Sequence, residues 1–162
     1  MRKIDGSRQL PNAHGRLLLR STAQFQRWVN CLISPDMDMT RIMLVGMGGF
    51  LGSIARYVVV KTVDARLHQL FPFGTLMVNV VGCFMIGIVA GIAGRQFGGG
   101  ENLRAFLGAG FCGGFTTFSA FALENHNLFS DRFAGVAVLY VACSVIAGIG
   151  AVFLGLWCAR FL

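Results

Sequence analysis

The chain has 162 residues, 55% of them hydrophobic and only 13% charged. A mean hydropathy of +0.66 exceeds what a soluble domain needs to fill a core, so the soluble class is excluded and a membrane protein is expected. The formal charge of +7 fits basic residues flanking membrane helices, and no nucleic-acid partner is expected.

Residues 1–39 form a basic N-terminal extension, with Arg2, Lys3, Arg8, Arg16, Arg20 and Arg27 set against the single acid Asp5 over residues 1–34. The stretch RLLLRSTAQFQRWVNCLI is interrupted by Arg20 and Arg27, so it makes a poor signal peptide. The extension is expected to be disordered or to precede a true start at Met37 or Met39. Residues 40–162 are expected to form one membrane domain. Its nearly uncharged stretches, Ile42 to Val60 (with only Arg56 inside), Pro72 to Gly94, Ala105 to Leu123 and Phe133 to Ala159, each approach the ~20 residues that span a bilayer core. This predicts an all-α protein of four transmembrane helices, about 42–60, 72–94, 104–125 and 133–158. The stretches are continuously apolar, without the period-two alternation of a β-barrel.

In the first helix, GMGGFLG follows no strand, so it is no phosphate loop. Gly48 and Gly52, and Gly87 and Gly91 in the second, stand four apart and let another backbone approach closely. Pro72 is expected to open the second helix. Thr75 and Asn79 share one face of it, and Asn79 reads either as interhelical glue or as a donor to something that moves through. In the third, Gly113 and Gly114 weaken the helix and Thr116 and Thr117 can rebond locally, so an unwound turn at mid-membrane is predicted. Freed carbonyls cannot face lipid; such a break must be buried or line a cavity, and its carbonyls can bind a cation. Phe118 and Phe121, three apart on the resumed helix, face either lipid or a pore. The cysteines and histidines are scattered with no metal-ligand spacing, and no catalytic motif is present, so the chain is not read as an enzyme.

The segments GGFLGSIARY, FPFGTLMVNVVGCFMIG and GFCGGFTTFSAFALE, in this order on the first three helices, resemble the CrcB/Fluc family of fluoride channels from residue 41 to about 160. The resemblance implies an antiparallel, dual-topology homodimer in the bacterial inner membrane that passes fluoride passively and relieves its toxicity. It implies a structural sodium ion on the two-fold axis, held by backbone carbonyls of Gly113 and Thr116 from both subunits. It places Asn79, Phe118, Phe121, Ser119, Tyr140 and Ser144 on the fluoride pathway, and Arg56 and Thr117 at the pore entrance. Two departures from the family pattern are Ala120, where many members carry a hydroxyl, and Gly148 at the end of the fourth-helix polar track. The physics suits the assignment. Hydroxyls and amides replace water around a small anion, and ring edges meet it without a fixed cation to trap it.

A small proton-coupled multidrug exporter would need a membrane-embedded carboxylate. Glu124 is the one candidate, and its place at the end of the third segment suggests an interfacial, helix-terminal residue instead. A non-transporting assembly protein leaves the predicted break unexplained. From residue 40 onward the basic residues divide evenly, Arg41, Arg95, Arg104 and Arg160 against Arg56, Lys61, Arg66 and Arg132, as a chain inserting both ways requires.

Overall fold

Asp38 starts the first helix. Its side chain accepts the Thr40 N–H at 3.0 Å and its carbonyl accepts the Arg41 N–H at 2.9 Å, capping orphan donors of α1, Met39–Leu67. The computed structural model describes residues 38–67, 70–93 and 100–162. The expectations for the N-terminal extension therefore lie almost wholly outside the described residues, as does Arg95. The second helix, α2, is Phe73–Ala93. The third span comprises α3, made of Gly100–Leu103, a π-helical stretch Arg104–Cys112 and Gly113–Phe115, and then α4, Phe118–Ser130. The last helix, α5, is Ala134–Cys158. Met39–Leu67, Phe73–Ala93, Gly100–Ser130 and Ala134–Cys158 are all long and apolar enough to cross a membrane, which makes this a multi-pass membrane protein of four spans.

The spans differ from expectation chiefly at their ends. α1 continues through Lys61, Asp64 and Arg66, because charge marks the exit from hydrocarbon and not the end of hydrogen bonding. Pro72 does not open α2 from inside; it precedes the helix, and its carbonyl accepts the Leu76 N–H at 3.2 Å. Asp64 of α1 receives the Gly74 N–H at 3.3 Å and ties the two helix ends together. After α4 the chain turns through Arg132 at φ 66°, with the Phe133 N–H bonded to the Leu128 carbonyl at 2.8 Å, a Schellman-type closure.

Glycines set the packing. A Cβ on Gly48 would strike the Phe106 carbonyl and lie 2.8 Å from the Phe111 nitrogen; one on Gly52 would strike the Phe111 carbonyl. Gly110 and Gly114 answer from the facing helix, where a Cβ would lie 2.9 Å from the Val45 carbonyl and 2.5 Å from that of Gly49. The same arrangement joins Gly87 of α2 to Val152 and Gly155 of α5. Gly48, Gly52 and Gly87 therefore lie in close backbone seams, the small-residue mode by which membrane helices associate, while a Cβ on Gly91 would strike the Ala159 methyl. The seams join α1 to α3 and α2 to α5.

Candidate functional site

The third span breaks at its threonines. The predicted unwound turn falls on the threonines: Gly113 and Gly114 are helical, whereas Thr116 (φ −87°, ψ 161°) and Thr117 (φ −150°, ψ 116°) are extended. This placement has a physical cause. Gly114 is locked against the Gly49 backbone, whereas each threonine recovers locally the bonds that its extended conformation forfeits. The Thr116 N–H and Oγ1 both donate to the Cys112 carbonyl at 3.0 Å, and Thr117 Oγ1 caps α4 by accepting the Ala120 N–H at 3.2 Å.

Neighbouring helices supply the remaining bonds. Asn79 of α2 grips the Thr117 backbone at both ends: its Oδ1 accepts the Thr117 N–H at 2.8 Å, and its Nδ2 donates to the Thr117 carbonyl at 3.1 Å. Arg56 of α1 donates through Nε to the Gly114 carbonyl at 3.0 Å, bringing a half-buried cation to the break. In a continuous helix the Thr117 N–H would serve the Gly113 carbonyl and the Ala120 N–H would serve that of Thr116. Both donors are directed elsewhere, to Asn79 and to Thr117 Oγ1. The two carbonyls assigned to a cation by resemblance are thus ones relieved of their regular helical donors. Gly113 is exposed, with nothing within 4 Å of where a Cβ would stand.

From the break a row of rings leads into the bundle. Phe118 is 80% exposed; its ring centroid lies 5.8 Å from that of Phe121, which lies 5.0 Å from Tyr140, itself 0% exposed. Tyr140 packs with Leu128 and Ala137 in a small core, with Phe71 edge-on at 5.3 Å. At the end of the row is a residue read from sequence as interfacial. Glu124 instead accepts the Tyr140 hydroxyl at 2.7 Å and the Thr75 hydroxyl at 2.6 Å, and Thr75 is only 2% exposed. A carboxylate needs such donors where water is scarce. The sequence signal for this cluster was the shared face of Thr75 and Asn79: both reach the third span, one below the break and one at it.

The structure thus brings Asn79, Thr117, Arg56, Phe118, Phe121 and Tyr140 into one continuous feature. Ser119 joins through its hydroxyl, 3.3 Å from Thr117 Oγ1. Ser144, one turn beyond Tyr140 on α5, has a buried Oγ without a hydrogen-bond partner among the described residues. Among the described residues no cluster of three His, Cys, Asp or Glu could hold a metal.

The sequence profile of the CrcB-like protein, Camphor Resistance (CrcB) family matches residues 43–156, taking in the break and the whole row of rings. The chain belongs to the CrcB family. The CrcB relatives include a fluoride-specific ion channel FluC of Novosphingobium aromaticivorans, 46% identical over 120 residues, which cover 73% of this chain and 94% of that protein. One of the same name from Rhizobium etli is 45% identical over 124 residues, 76% of this chain and 99% of the relative. Another, from Azobacteroides pseudotrichonymphae, is 43% identical over 117 residues, 72% of this chain and 94% of the relative.

Proposed function

We propose that this protein is a fluoride-selective channel that lets fluoride leave the cell passively, built as an antiparallel homodimer around a structural sodium ion. The observation carrying the reading is the break at Thr116 and Thr117 with the ring row beginning beside it, in a chain whose CrcB relatives bear the name fluoride-specific ion channel. The carbonyls of Gly113 and Thr116 would hold the sodium: two from each subunit make a hard oxygen set suited to a monovalent cation. When bound, the ion offsets the partial negative charge of the carbonyls and ties two subunits together. The apolar face that α1 exposes through Met43, Met47 and Phe50 suits a second copy or lipid.

The chain's own groups account for the anion's passage. Arg56 raises the local potential at the break while its Nε remains committed to Gly114, so it attracts an anion without being free to enclose it. Phe118 and Phe121 offer ring edges, whose partial positive charge suits an anion stripped of part of its water. Ser119 and Ser144 follow as donors, while Tyr140, whose hydroxyl proton is committed to Glu124, contributes its ring. Such weak, successive sites suit conduction, which requires that each be left as readily as it is entered.

The alternative, a proton-coupled exporter of cationic compounds, gains one supporting observation in Glu124, which is drawn into the bundle by Thr75 and Tyr140. Both its oxygens, however, are engaged by hydroxyls of the same bundle, the arrangement of a structural cross-link between α2, α4 and α5. The deciding experiment is fluoride efflux from liposomes holding the purified protein, with chloride as comparison and with and without a pH gradient. Fluoride-selective flux without a gradient supports the channel; gradient-dependent export of an organic cation without fluoride flux supports the exporter.

A further inference from the structure

We infer that Gly82 of α2 is a positioning residue for the break: the notch left by its missing side chain seats the methyl group of Thr116 and thereby aims the Thr116 carbonyl. A Cβ on Gly82 would overlap Thr116 Cγ2, closer than two non-bonded carbon atoms can stand. The next atoms are Phe115 Cδ1 at 3.5 Å and Thr116 Cβ at 3.7 Å, both ordinary contact distances, so the whole obstruction is one methyl group.

That methyl has no freedom to move aside. Thr116 Oγ1 donates to the Cys112 carbonyl at 3.0 Å, and threonine is stiff about χ1, so a rotation that cleared Cγ2 would carry the hydroxyl off its acceptor. The side chain is therefore held from two sides, by α3 through its hydroxyl and by α2 through its methyl. Gly82 also follows Asn79 by three residues and lies on the same face of α2. One helix face thus fixes consecutive residues of the break, Thr116 by shape and Thr117 by hydrogen bonds. Gly82 differs from the glycines of the two seams, whose first obstacles are backbone atoms or, at Gly91, an alanine methyl; its obstacle belongs to the residue whose carbonyl lies at the break.

The flux part of the test rests on the channel reading, and the stability part does not. Fluoride efflux and the thermal unfolding midpoint are measured for the full-length protein, Gly82→Ala and the double variant Gly82→Ala/Thr116→Ser. The double variant moves a methyl from residue 116 to residue 82, keeps the hydroxyl and conserves volume. The expected result is a fall in fluoride flux of about tenfold or more in Gly82→Ala, with a lowered midpoint, and recovery in the double variant to within about threefold of the unaltered protein. Flux in Gly82→Ala within about threefold of the unaltered protein, or a double variant no better than the single one, overturns the inference. Should Gly82→Ala not fold, the double variant decides alone: folded and conducting supports the notch, and anything else overturns it. An unaltered protein without fluoride flux refutes the channel reading, and the three midpoints still decide whether the methyl fills the notch.

Discussion

Replacing Asn79 with leucine keeps the bulk of the side chain and removes both of its bonds to the Thr117 backbone. Those two peptide groups lie in an extended stretch where no helical neighbour can take over. Leaving a buried donor or acceptor unpaired costs about 1–3 kcal/mol, so the two together imply about 2–6 kcal/mol. Interhelical hydrogen bonds in membranes average only ~0.6 kcal/mol with a maximum near ~1.7, because the unfolded chain finds other partners in the bilayer; two such bonds give about 1–3 kcal/mol. The ranges overlap near 2–3 kcal/mol, and the lack of alternative partners at the break favours at least ~2 kcal/mol. The assay is denaturant or thermal unfolding in detergent, run beside fluoride efflux on the same preparation. Asn79→Leu should lose at least about 2 kcal/mol of stability together with its flux. A variant within ~0.5 kcal/mol of the unaltered protein, the range of a neutral surface change, would falsify the claim that Asn79 holds the break.

Phe118→Ile and Phe121→Ile should each reduce fluoride flux sharply in liposomes while the protein stays folded, since an aliphatic side chain fills space but offers no positive edge; undiminished flux in both would sink the ring-edge pathway. Gly52→Ala should destabilise by about 1–3 kcal/mol or abolish folded yield, whereas Gly150→Ala, with nothing within 4 Å of its Cβ position, should not, as size-exclusion profiles and unfolding midpoints will show. Tyr140→Phe takes one of two donors from Glu124 and should lower stability by about 1–3 kcal/mol in unfolding measurements; no change would mean that the carboxylate is hydrated in the bundle. Arg132→Gly should raise stability by about 1 kcal/mol, because the φ of 66° strains any side chain with a Cβ; a loss in the same unfolding assay would show that the arginine makes compensating contacts.

The spans were legible because a bilayer imposes one length on every helix, and the close seams were legible because glycines four apart have few other uses in lipid. The site of the break was legible only to within a turn. Glycine's permissiveness pointed to Gly113 and Gly114, but what decides is whether a neighbour needs the helix to continue, and the Gly49 backbone does so at Gly114. The threonines lie just past that seam and carry the oxygens to replace what unwinding loses. The partners of Glu124 stand 49 and 16 residues away, so its ties to Thr75 and Tyr140 left no local signal in the sequence. The π-helical stretch of Arg104–Cys112 has no local signature beyond the cheapness of distorting Gly108 and Gly110.

The two glycine seams join helices that are not neighbours along the chain, α1 to α3 and α2 to α5. This order has a consequence for biosynthesis. A consecutive pair entering the bilayer would normally zip together as a hairpin, but here α1 must wait beside α2 until the third span emerges, and α2 must wait for the last. The nascent protein therefore passes through the translocon with its best contact surfaces unmatched. Assembly then closes in two steps, the α1–α3 seam first and the α2–α5 seam when the last helix is released, and a truncated product lacking α5 leaves the α2 seam open to the quality-control proteases of the membrane.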